Sequence, residues 1–128
     1  MIIERQIIFY GRHFQQFYIE VNDRVKEKIG YVFRIIKTVD KVSEKFLKHI
    51  EGKDGLYEIS IEVGSNIYRI FCCFDEGNLV VLFNAFQKKT QKTPRQEIEL
   101  AEKLKNEYFN LKDKQNEKNR GNKKGKKF

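Results

Sequence analysis

Between residues 57 and 63 the chain reads "YEISIEV", with Tyr57, Ile59, Ile61 and Val63 alternating with Glu58, Ser60 and Glu62. A period of two marks a half-buried strand. "IYRIFCCF" and "LVVLFNAF" follow across the short turns "GSN" and "DEGN", so an antiparallel meander is predicted. Upstream the period lengthens. From about Arg12 to Val39, apolar residues including Phe14, Phe17, Val21, Val25, Ile29, Val32 and Ile36 recur at three and four, which predicts one long amphipathic helix. A short strand, "RQIIFY", precedes it, and a second helix is expected from Ser43 through Phe46, Leu47 and Ile50 until "EGKDG" breaks it. Thr93, Pro94 and Gln96 read as the capping box of a closing helix whose apolar face is Ile98, Ala101, Leu104, Tyr108 and Leu111. The order β-α-α-β-β-β-α predicts an α+β fold: a small antiparallel sheet with helices packed on one face and a closing C-terminal helix.

The chain has 128 residues, 40% of them hydrophobic, and a formal charge of +8. That length suits one core. The charge is unevenly placed: residues 112–128 carry eight Lys or Arg against two acids, net +6, leaving +2 for residues 1–111. A folded domain over 1–111 and a basic tail over 112–128, too poor in apolar groups to order itself, are expected. No apolar run approaches the roughly 20 residues of a membrane helix, and charges interrupt the N-terminus where a signal peptide would be apolar. The expectation is a soluble, cytoplasmic protein with no membrane partner. Cys72 and Cys73 are adjacent, which suits neither a disulfide nor a metal site, so neither metal nor cofactor is expected.

Strand parity then brings the charges together. If Ile59, Ile61, Tyr68, Ile70 and Cys72 face the helices, Arg69 shares the other face with Ser60 and Glu62. A hairpin pairing Phe74 with Leu79 would set Arg69 across from Asn84, and steps of two from Asn84 reach Phe86 and Lys88. The open face is therefore expected to collect Arg69, Asn84 and Lys88, with Lys89, Lys92 and Arg95 just beyond. A guanidinium held on rigid strands suits a phosphate, and the lysines add charge that could stabilise the phosphorane formed when an RNA 2′-hydroxyl attacks its own phosphodiester. Pairing of Arg69 with Glu62 across the hairpin is an equally simple reading of that arginine. His13 and His49 lie far from this segment in sequence and are expected to be structural.

"GLYE", "NIYRIF" and "FQKKTQKTP", in that order before a helix, resemble the phage-derived HigB-like branch of the RelE/ParE toxin superfamily. The resemblance is strong over residues 55–108 and does not reach the tail. It implies the toxin of a type II toxin–antitoxin module, an mRNA interferase that cuts translated mRNA in the ribosomal A site without a metal and is neutralised by an antitoxin, often a helix-turn-helix protein. It makes Arg69, Lys88 and Lys89 the catalytic candidates and puts Lys92 in the same lysine cluster; Arg95, Asn84 and Ser60, placed by strand parity and position, complete the expected RNA surface. Ser60 is a departure, because many relatives have an arginine there. ParE-like members of the superfamily inhibit gyrase instead, and a catalytically inert RNA-binding relative is a third reading.

Overall fold

In the computed structural model, which describes residues 3–121, the elements run β1 (Gln6–Phe9), α1 (His13–Glu20), α2 (Asp23–Thr38), β2 (Leu47–His49), β3 (Tyr57–Val63), β4 (Asn66–Asp75), β5 (Leu79–Lys88) and α3 (Arg95–Gly121). The fold is α+β. One five-stranded sheet has the order β1-β5-β4-β3-β2. The meander β3-β4-β5 is antiparallel as its alternation predicts, but β1 joins β5 in parallel, so the sheet is mixed.

The stripe expected as one helix is two. Val21 is extended, and Asn22 caps α2 by accepting a hydrogen bond from the Val25 amide. Both helices bury the same face, which is why the apolar spacing runs through the break. At the far end of α2, the Arg5 guanidinium donates to the carbonyls of Ile36, Val39 and Asp40, satisfying acceptors that a helix end leaves open. The helix expected from Ser43 is not formed. The Ser43 carbonyl accepts from Phe46 and Leu47 in a single turn, and Leu47–His49 then pairs with β3 as an edge strand.

Both faces of the sheet are covered. Phe14, Val25, Ile29, Val32 and Ile36 pack with Ile59, Ile61, Tyr68, Ile70, Cys72, Val80 and Leu82 under α1 and α2. On the other face Phe71, Cys73, Val81 and Phe83 pack with Leu56 and with Ala101 and Leu104 of α3. The closing helix thus covers the face expected to be open. Each fully buried Ile, Val or Phe contributes about 1.5–3 kcal/mol relative to exposure.

The Phe83–Asn84 segment bends the second face. Ile70 pairs with Ala85 and Cys72 with Leu82, so two residues of β5 oppose Phe71 alone, a β-bulge. Ahead of it Val80 and Leu82 face α1 and α2. Beyond it Ala85 takes that face and Phe86 the other.

α3 runs 27 residues. Residues 112–121, expected to be disordered, continue the helix; the remainder of that tail, 122–128, lies outside the described residues. The helix persists past Leu111 because Lys112 is anchored, its ammonium 2.8 Å from an Asp75 carboxylate oxygen that sits at the end of β4. Tyr108 donates to the other oxygen of Asp75 at 2.7 Å. Burial alone would raise the Asp75 pKa, but the hydrogen bonds from Lys112, Tyr108 and the Glu76 amide outweigh it and hold the carboxyl below its usual range. The same hydrogen bond raises Lys112. No helix among the described residues is long and apolar enough to cross a membrane.

Candidate functional site

Arg69 lies on β4, beside Ser60 of β3 and Phe86 of β5. The expected neighbour was Asn84, and two one-residue differences account for the change. The β4–β5 turn pairs Phe74 with Val80 rather than Leu79, and the bulge adds a second residue. The two shifts sum to two, so parity survives and Phe86 and Lys88 do share the face of Arg69. Asn84 does not join them at the surface. It is 2% exposed, and its amide nitrogen donates to the carbonyl and the carboxylate of Glu97, each at 3.0 Å. That pins the start of α3 to the bulge and leaves the Asn84 Oδ1 with no protein donor.

The guanidinium itself is held rather than free. Nη1 donates to Ser60 Oγ at 2.6 Å, and Nε is 3.7 Å from a Glu58 carboxylate oxygen. The carboxylate partner is Glu58, not Glu62. Both side chains are largely covered, 14% and 18% exposed, so solvent screens this pair less than it would a surface pair. Nε makes no hydrogen bond and is buried. Phe86, the cross-strand partner of Arg69, packs on Phe71 with ring centroids 5.6 Å apart. Ser60 thus positions Arg69.

One row further along the sheet, Lys88 pairs with Ile67 and Ile67 with Glu62. Diagonal neighbours such as Lys88 and Arg69 sit roughly 7–8 Å apart on the backbone, while the guanidinium itself reaches toward Ser60 and Glu58. A depression of about 370 Å³ opens here, lined by Ile67, Lys88, Lys89, Thr90 and Gln91. Thr90 Oγ1 donates to the Lys92 carbonyl at 2.8 Å, bending the exit loop. Lys89 and Lys92 are exposed. Arg95 has turned into the first residue of α3, where it pairs with Glu99 at 3.1 Å and stays 90% exposed. The sequence-derived set therefore divides: Arg69, Ser60, Lys88 and Lys89 gather at one end of the sheet, Lys92 and Arg95 stand along its margin, and Asn84 is internal.

Glu58 is the residue that sequence reasoning passed over. Its signal was available, since Glu58, Ser60 and Glu62 share one face of β3, but which carboxylate the Arg69 side chain reaches depends on its rotamer. The cysteines are buried and free. Burial pushes both thiols up, Cys73 to about 11 despite the opposing effect of Lys105, so neither is a thiolate at neutral pH. His49 packs edge-on against Tyr57 at 5.1 Å, and His13 opens α1. Among the described residues no three His, Cys, Asp or Glu side chains group in a way that could hold a metal ion.

Fold and surface together define a small α+β protein with a cationic end to its sheet. Residues 17–106, more than half of the chain, match the family of phage-derived Gp49-like proteins (DUF891), and the chain belongs to that family. No curated protein matches the chain.

Proposed function

We propose that the protein is the toxin of a type II toxin–antitoxin module, an endoribonuclease that cuts mRNA during translation. The observation that carries this reading is the pairing of a positioned guanidinium with rim lysines. Arg69 is fixed by Ser60 and Glu58 on the central meander, and Lys88 and Lys89 line the adjoining depression. The substrate brings its own nucleophile. As the 2′-oxygen attacks phosphorus, Arg69 and Lys88 take up the charge that grows on the non-bridging oxygens. The 5′-oxygen leaves with a proton, giving a 2′,3′-cyclic phosphate and a 5′-hydroxyl. Fixed donors aimed at such charge contribute on the order of 3–4 kcal/mol each.

The 2′-hydroxyl proton needs an acceptor, and the carboxylate in contact with Arg69 is that of Glu58. Glu58 serves as that base in this scheme, and Lys89 or Lys92 serves as the acid or as a phosphate clamp. An ordered codon in the ribosomal A site would align 2′-oxygen, phosphorus and 5′-oxygen, which this shallow surface does little to enforce. Neutralisation falls to a cognate antitoxin.

Induced expression is expected to arrest bacterial growth and to leave codon-associated mRNA ends visible by primer extension. Arg69→Ala and the double variant Lys88→Ala, Lys89→Ala should abolish both effects. The lysine pair is the cleaner test: Arg69→Ala leaves Glu58 unpaired at a cost of about 1–3 kcal/mol, whereas the lysines lie at the rim. Unchanged mRNA ends together with arrested supercoiling by purified gyrase would sink the ribonuclease reading in favour of gyrase inhibition.

A further inference from the structure

On the far side of the molecule from Arg69, a groove of about 340 Å³ lies between β1, α1 and α2, with Ile7, Phe9, Phe14, Tyr18 and Phe33 in its walls. Three separate features point outward from it. The first is the strand edge. β1 ends the sheet, and the Gln6 and Tyr10 amides donate to Asn78 and Leu82 on the β5 side, so the intervening Ile7 and Phe9 turn their N–H and C=O groups away from β5. The second is apolar exposure at that edge, where Ile8 is 39% and Phe9 45% exposed.

The third is Gly30. It sits in the middle of α2, in the wall of the groove, where glycine is the poorest helix former after proline. A Cβ built there meets nothing within 4 Å, so no contact inside this chain explains the missing side chain. The position is open to the outside.

Charge narrows the occupant. Lys37 lines the groove, and Lys26 stands 5.5 Å over the ring of Tyr18, another wall residue. No carboxylate is among the lining residues. Residues 122–128, "NKKGKKF", carry four lysines and repeat the sign of the rim, and a second copy of the chain would set Lys26 and Lys37 against their equivalents. We propose that this groove and the β1 edge receive an extended segment of a different protein, which adds a strand beside β1, drops apolar side chains into the space at Gly30 and flanks them with carboxylates that meet Lys26 and Lys37. The inference concerns binding alone and does not rest on the ribonuclease reading.

The test uses the full chain and a fluorescein-labelled peptide of alternating valine and threonine flanked by aspartates. Saturable binding by anisotropy is expected, with shifts of the Ile7 and Phe9 amide resonances. A lysine-flanked peptide, and an aspartate-flanked one with a central proline, should bind at least tenfold more weakly. Gly30→Leu and Lys37→Glu should each weaken binding tenfold or more. Gly30→Ala guards against a folding artefact, because it should raise Tm by about 3 °C while weakening the peptide severalfold. Absent saturable binding, or affinity unchanged in Gly30→Leu, overturns the proposal. A chain that is dimeric by light scattering and becomes monomeric in Phe9→Asp assigns the groove to a second copy and overturns it equally.

Discussion

The two faces of the sheet use the same strands to different ends. Beneath α1 and α2 the face is apolar along the meander, from Ile59 and Ile61 through Tyr68, Ile70 and Cys72 to Val80 and Leu82. Beneath α3 the apolar core is shorter, built on Phe71, Cys73, Val81 and Phe83, and it gives way to Ser60, Arg69 and Lys88 where Ala101 and Leu104 no longer reach. Polar residues at alternate strand positions therefore mark the uncovered end of a face, not a whole face left wet. The guanidinium sits at that boundary, held by Ser60 and Glu58.

The sharpest way to break the comparison is to mutate neighbours that point to opposite faces. Ile70→Ala empties a fully buried site on the α1/α2 side and should cost about 2–5 kcal/mol in urea unfolding, more than Arg69→Ala one residue away. Equal losses would mean that the Arg69 end is as much a core as the other face.

A second effect, of intermediate size, concerns how α3 is fastened. The Asp75 carboxyl has a lowered pKa in the folded chain, so its contribution is present above the unfolded value and is lost as pH falls through the folded one. Lys112 has a raised pKa, so its contribution is complete below the unfolded value and is lost as pH climbs through the folded one. Stability should therefore fall below about pH 4 and again in strong alkali. Asp75→Asn should flatten the acid limb in pH-dependent thermal melts. An acid limb unchanged in that variant would assign acid sensitivity to other carboxylates.

The smallest effect is expected at Arg95. Its pair with Glu99 is almost wholly exposed, and Arg95→Ala should move stability by less than about 0.5 kcal/mol. A larger loss would show that the start of α3 depends on that pair as well as on Asn84.

Much of this was legible in the chain, and the failures have identifiable causes. β3, β4 and β5 follow from alternation because each carries its own period. The apolar stripe of α3 was equally plain up to Leu111, but what prolongs the helix, a lysine reaching Asp75 some 37 residues away in sequence, is a tertiary contact. β2 owes its form to pairing with β3, and a three-residue edge strand has too few positions to show a period. The break at Asn22 was hidden because two helices on one face continue one stripe. Parity put Arg69, Ser60 and Lys88 on one face, and it held for Lys88 only because the shift at the β4–β5 turn and the bulge sum to two. Asn84 was misplaced because "LVVLFNAF" is apolar on both sides of the bulge, so nothing in it signals that the alternation changes phase.

The bulge acts on β5 as a frameshift acts on a message. Upstream of Phe83 even-numbered residues are read by the α1/α2 side, and downstream they are read by the α3 side. Straightening the strand with its residue count unchanged, so that alternation ran unbroken from Leu82, would turn Lys88 toward the α1/α2 side and set Gln87 on the face of Arg69. Deleting Asn84 would instead remove the extra residue and leave Ala85, Phe86 and Lys88 on the faces they now occupy. The cationic rim thus depends on one extra residue in β5 as well as on the side chains that form it.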